Sequence, residues 1–198
     1  MIESAKKFVT PEEYLLREAQ AEYKSEFRDG EIFAMNGASL NHNQIIFNTA
    51  KVLDRLLERK PCRVFSSDVR LYIDKRRLYT YPDVMVVCGK IELVPGRDDT
   101  LTNPRVIVEV WSDPTQEYDR GKKFAMYRDI PSLQDYVMID QTRPYIEYFR
   151  RDQQFWVLET LEGTDAVLTL HALECEIALS AIYEKVEWLG EAASQDKN

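Results

Sequence analysis

The run Val106-Ile107-Val108-Glu109-Val110-Trp111 constrains the chain more than any other stretch. Side chains on a strand alternate between faces, so Val106, Val108 and Val110 share one face and Ile107, Glu109 and Trp111 the other. Both faces are apolar apart from one carboxylate, which predicts a central strand buried on both sides. An ionised Glu109 there costs several kcal/mol or more unless something pairs with it. A metal ion is one such partner. A second carboxylate, Asp83, stands at the mouth of another apolar strand in Tyr81-Pro82-Asp83-Val84-Met85-Val86-Val87.

Periodicity organises the rest of the chain. Thr10-Pro11-Glu12-Glu13 has the form of a capping box with proline at the first helical position, and predicts a short helix to about Ala21. Alternation from Glu22 to Met35 around Asp29-Gly30 predicts a hairpin. Ser39 is placed to cap a longer helix carrying Ile46, Ala50, Leu53 and Leu57 on one face, with Pro61 beyond its end. Strands are expected at Arg63–Phe65, Asp68–Asp74, Tyr79–Cys88 and Val106–Trp111. A helix should follow from about Gln116 to Arg128, capped by Ser112 or Thr115. Further strands are expected at Asp135–Asp140, Pro144–Arg150 and Gln154–Glu159, with one last strand and a short helix between Ala166 and Leu189. This order predicts an α/β or α+β fold with a mixed central sheet flanked by helices. Residues 1–189 form one expected domain, and the polar segment 190–198 is an expected disordered tail.

Composition narrows the chemistry. Formal net charge is −8, which opposes indiscriminate binding to nucleic acid unless basic residues cluster locally. Lys75-Arg76-Arg77, Arg120-Gly121-Lys122-Lys123 and Arg150-Arg151 are candidate patches, and for the first and last solvated turns or helix faces are the favoured explanation. The absence of a long apolar run or an export segment points to a cytoplasmic protein with no membrane partner. Cys62, Cys88 and Cys175 are widely spaced and odd in number, which predicts three reduced thiols. With only His42 and His171 besides, a structural zinc site is not expected.

Asp83 and Glu109 carry the chemical expectation. Hard cations take oxygen ligands and often only one or two protein carboxylates. The two acids, with the backbone carbonyl of Val110 adjacent, are expected to converge on one Mg²⁺ or Mn²⁺. Lys123 follows one helix later and is positioned to orient water or neutralise phosphoryl charge. Asp119, Lys123 and Tyr127 recur at intervals of four and share a helix face. Each residue also has a plainer reading: Asp83 as a turn aspartate, Glu109 as half of a buried ion pair, and Lys123 as the surface partner of Asp119. Glu26 falls on the polar face of the hairpin with Lys24 and Arg28, so solvent exposure and a third acidic position in the site both remain open. His42 reads as a hydrogen-bonded core or helix-start residue in preference to a catalytic base, and Asp68 is a weak extra candidate that a strand-start turn explains. Tyr145-Ile146-Glu147-Tyr148-Phe149 offers rings for base stacking, though sheet packing accounts for them.

Four segments together carry a resemblance. Ser25-Glu26-Phe27-Arg28-Asp29-Gly30-Glu31-Ile32, Tyr81-Pro82-Asp83-Val84, Val108-Glu109-Val110-Trp111-Ser112 and Asp119-Arg120-Gly121-Lys122-Lys123-Phe124-Ala125-Met126-Tyr127 resemble, in order, the Uma-type family of restriction-endonuclease-like proteins, placed in the PD-(D/E)xK nuclease superfamily. The likeness spans about residues 10 to 185. It implies a restriction-endonuclease-like core, a magnesium-dependent site for cleaving DNA phosphodiesters, and a homodimer. It also keeps Glu26 among the catalytic candidates with Asp83, Glu109 and Lys123. The superfamily pattern puts lysine two residues after the glutamate, where this chain has Trp111. Uma-type sequences share that gap and carry a lysine in the next helix, and Phe124 and Tyr127 fix the register on Lys123 over Lys122. The alternatives to an endonuclease are a noncatalytic module of the same fold that binds nucleic acid or protein, and a small-molecule phosphohydrolase. The last is disfavoured because no glycine-rich phosphate loop is present.

Overall fold

The computed structural model describes residues 8–35, 37–111 and 118–188. Helix α1 (Pro11–Glu18) starts at a capping box in which Thr10 and Glu13 exchange side-chain-to-backbone hydrogen bonds. The hairpin β1 (Ser25–Arg28) and β2 (Glu31–Ala34) turns at Asp29-Gly30, both at positive φ. That is the geometry a two-residue hairpin loop requires. Helix α2 (Leu40–Leu57) begins at Ser39, whose hydroxyl accepts the His42 amide.

Strands β3 (Cys62–Ser66), β4 (Arg70–Ile73), β5 (Leu78–Thr80), β6 (Val84–Cys88), β7 (Thr100–Leu101) and β8 (Val106–Trp111) follow. A π-helical segment, Tyr118–Lys123, runs into helix α3 (Phe124–Tyr127). Then come β9 (Asp135–Asp140), β10 (Tyr145–Asp152), β11 (Phe155–Glu162), β12 (Val167–Leu170), β13 (Cys175–Ala178) and helix α4 (Leu179–Ile182).

Two sheets form the body of this α+β fold. The central one has the order β11-β10-β9-β8-β6-β3, antiparallel throughout except where β8 runs parallel to β9. The second has the order β2-β1-β5-β4-β7. All six residues of β8 are buried, as the two apolar faces require. Val106, Val108 and Val110 pack with Ile45, Ile46 and Leu53 of α2. On the other face, Ile107 and Trp111 pack with Leu71, Leu78 and Leu101 of the second sheet and with Met126 and Tyr127 of α3. Glu109 therefore projects into the layer that holds the second sheet and α3.

The structure corrects several expectations. Tyr79–Cys88 is two strands in two different sheets, β5 and β6, separated at Tyr81-Pro82-Asp83. Pro82 has no N–H to extend a ladder, so the chain leaves one sheet there and enters the other. The last strand is a hairpin, β12 with β13. The helix after β8 is π-helical through Lys123, and its expected start falls outside the described residues, as does the expected tail 190–198. Cys62 and Cys88 are not free thiols. They face each other across β3 and β6 with Cα atoms 3.9 Å apart and form a disulfide. Cys175 is free.

Candidate active site

The site grows from the break between β5 and β6. The ladder of β6 with β8 pairs Val84 with Val108, so one further step would set Asp83 opposite Glu109. Instead the chain turns at Pro82, and the Asp83 carboxylate takes the place of a strand partner. Its Oδ2 accepts the Val110 amide at 2.7 Å. His42, in the first turn of α2, brings Nε2 to 3.4 Å from the same oxygen. Asp83 is thus tied to the residue next to Glu109, at the point where two strands diverge.

Glu109 receives two donors from α3 and the turn before it. Lys123 Nζ lies 3.2 Å from Oε1, and the Tyr127 hydroxyl donates to the same oxygen at 2.6 Å. Residues four apart on a helix lie above one another, which lets both reach one carboxylate. Aromatic packing fixes the helix: the Phe124 ring lies 5.4 Å from Tyr136, 4.3 Å from Phe149 and 5.2 Å from Trp156. Burial, with the adjacent Glu109 charge, pushes the Tyr127 phenol far above its ordinary value, so it remains a proton donor.

Glu26 is buried, not solvent-exposed. Its Oε1 lies 3.4 Å from Lys123 Nζ and accepts a hydrogen bond from the Thr80 hydroxyl. The structure therefore gathers Glu26, Glu109 and Lys123, with Tyr127 and Thr80 as hydroxyl donors. One buried ammonium is shared by two carboxylates. Asp83, Glu109 and the Val110 carbonyl supply the donor types a hard divalent cation takes. Among the described residues no cluster of three or more Asp, Glu, His or Cys side chains is assembled for one, so waters and substrate oxygens would complete the shell.

Other sequence candidates are placed elsewhere. Asp68 pairs with Lys24 on the surface. The side chain of Asp119 lies outside the described residues. Trp111 is buried, and its Nε1 has no hydrogen-bond partner among the described residues. Tyr148 is used structurally, donating to buried Asp135. Sequence reasoning missed Thr80, although a hydroxyl in an apolar strand just ahead of Tyr-Pro-Asp was a usable signal. It also missed that His42 reaches Asp83.

Comparison with known proteins places the chain in a family. The Uma2 family, described as "Putative restriction endonuclease", matches residues 11–181. The chain belongs to the Uma2 family. Two Synechocystis relatives align over most of both chains: the uncharacterized protein sll1609 is 40% identical over 84% of this chain and 94% of its own. Protein slr1290 is 35% identical over 88% of this chain and 91% of its own. A crystal structure described as a "putative nuclease belonging to DUF820" from Anabaena variabilis superposes with a TM-score of 0.69 at 18% identity. It covers 88% of this chain and 97% of that one, so this Uma2 chain shares its fold.

Proposed function

We propose that this Uma2 protein is a divalent-metal-dependent endonuclease that hydrolyses DNA phosphodiester bonds. One observation carries the reading: Glu109, buried in a central strand, meets Lys123 from the following helix while Asp83 is held on the adjacent Val110 amide. Family membership and the shared fold support nuclease chemistry. Asp83, Glu109 and the Val110 carbonyl would hold Mg²⁺ or Mn²⁺, which when bound supplies Lewis acidity toward a phosphoryl oxygen and a more acidic water.

The chain's own residues then divide the work. Glu109 orients the Lys123 ammonium, and Glu26 holds it from the other side. Lys123 is positioned to stabilise negative charge developing on a phosphoryl oxygen, or to orient the attacking water. Tyr127 fixes the Glu109 rotamer, and Thr80 fixes that of Glu26. The helix lysine thereby replaces the charge that Trp111 cannot provide.

Trp111 at the usual lysine position also suits a noncatalytic module that binds nucleic acid or protein. Metal titration of the wild type beside Glu109→Ala, with plasmid and single-stranded DNA as substrates, separates the two. Cleavage by the wild type that needs Mg²⁺ or Mn²⁺ and disappears in Glu109→Ala supports the enzyme. Binding without cleavage at any metal concentration supports the module. A homodimer accompanies the endonuclease reading, because cutting two strands is served by a two-fold assembly. Light scattering at high protein concentration tests it, and a monomer there contradicts it.

A further inference from the structure

Resting on that reading, we propose that the cleft formed by Arg28, Lys75, Arg76 and Arg77 beside Met126 is a docking site for a DNA backbone phosphate outside the scissile bond.

The cleft has a volume of about 310 Å³ and is lined by Arg28, Asp29, Lys75, Arg76, Arg77 and Met126. Two turns build it. The β1–β2 turn is joined to the turn between β4 and β5 by the Asp29 amide, which donates to the Arg77 carbonyl at 3.3 Å. The second turn is a 3-10 segment, Asp74–Arg76, closed by Arg77 at φ 45°. A left-handed arginine costs about 1 kcal/mol or more, and glycine or asparagine would close the same turn without it. The chain instead places three consecutive cations at this tip.

The cleft is cationic and exposed. Lys75 and Arg76 pair with Asp129, and Arg77 with Asp29, in a chain of formal net charge −8. Asp129 organises two of the cations: Lys75 Nζ lies 2.8 Å from its Oδ1, and Arg76 bonds its Oδ2. Burial pushes the Asp129 carboxyl up, but those two hydrogen bonds outweigh it and leave the group below its ordinary value. The cationic heads stay open to solvent, with 72%, 44% and 58% side-chain exposure at Lys75, Arg76 and Arg77. Arg28 is steadied by the Phe33 ring, 4.5 Å from its guanidinium carbon.

Position gives the cleft its role. Arg28 lies two residues beyond Glu26 on β1, on the same face and about 7 Å along the strand. Met126 lies three residues beyond Lys123, about one helical turn. The cleft therefore adjoins the candidate active site at a distance of about two nucleotides of axial advance along one DNA strand. A phosphate held there fixes the register of the strand without reading its bases.

The test is equilibrium binding of the full chain to a labelled DNA duplex in EDTA, over a series of salt concentrations. The variant Lys75→Gln/Arg76→Gln is compared with wild type and with Arg63→Gln/Lys90→Gln, an equal charge change on β3 and the turn after β6. The expected result for Lys75→Gln/Arg76→Gln is affinity lower by about tenfold or more at moderate salt, and a log–log salt slope shallower by about two, alike for unrelated sequences. The control should match wild type. If the thermal midpoint shows that the double variant is poorly folded, Arg77→Gln carries the same test with a slope change of about one. Wild-type affinity and slope in the cleft variants, or an equal loss in the control, overturns this proposal alone. A wild type that does not bind DNA in EDTA overturns this proposal, while the endonuclease reading is decided by the metal titration above.

Discussion

Lys123 Nζ lies 3.2 Å from Glu109 Oε1, so a helix lysine meets the carboxylate of the central strand β8. The same ammonium is 3.4 Å from Glu26 Oε1 on the second sheet. One cation thus joins three elements that are distant in sequence. Taking a carboxylate and an ammonium out of water is costly, and the pair persists because hydroxyl donors from Tyr127 and Thr80 share the desolvated oxygens.

Tyr127 is the most direct structural support of Glu109. Tyr127→Phe removes a hydrogen bond to a buried charged group while keeping the ring in the core. Folding stability should fall by about 1 to 3 kcal/mol, read by urea unfolding. A change within a few tenths of a kcal/mol would mean that the phenol does not hold the carboxylate.

The disulfide predicts a thiol count. Denatured, unreduced protein should show one reactive thiol, Cys175, and three after reduction. Because the bond closes a loop across a separation of 26 residues, reduction should lower stability by about 3 kcal/mol. Three thiols before reduction would restore the reading made from spacing alone.

Asp99 gives a pH signature remote from the site. Arg97 hydrogen-bonds its carboxylate, and the group lies at about 2 against an ordinary 3.8. A carboxyl depressed on folding stabilises the native state above the unfolded value, and that contribution is lost as pH falls from about 4 toward 2. Asp99→Asn should therefore be less stable than wild type at neutral pH, and the gap should close through that acid window. The gap should be small, since the side chain is 42% exposed. Equal stability of the two at neutral pH would contradict this.

Much of the frame was legible from local rules. The Thr10–Glu13 capping box, the Ser39 cap and the Asp29-Gly30 turn each need only neighbouring residues, and each stands where expected. The two-faced burial of β8 followed from its apolar run. Long-range relationships were hidden. Strand-forming residues flank Pro82-Asp83 on both sides, so Tyr79–Cys88 read as one strand, although Pro82 was the signal for a change of sheet. The Cys62–Cys88 bond depends on the register of β3 with β6, which spacing does not encode. Glu26 looked polar-faced because its partner, Lys123, lies far along the chain and buries it. Thr80 and His42 likewise gain meaning only once β5 and α2 are packed.

Single-turnover cleavage of end-labelled DNA by Lys123→Ala, with divalent-ion calorimetry on the same preparation, tests the central claim most directly. Lys123 cannot ligate the ion while protonated, whereas its ammonium can stabilise phosphoryl charge. The variant should bind Mg²⁺ or Mn²⁺ nearly as wild type and cleave about a hundredfold or more slowly. Cleavage at the wild-type rate by Lys123→Ala would contradict the helix-lysine mechanism, and Lys122 would be the next residue to test.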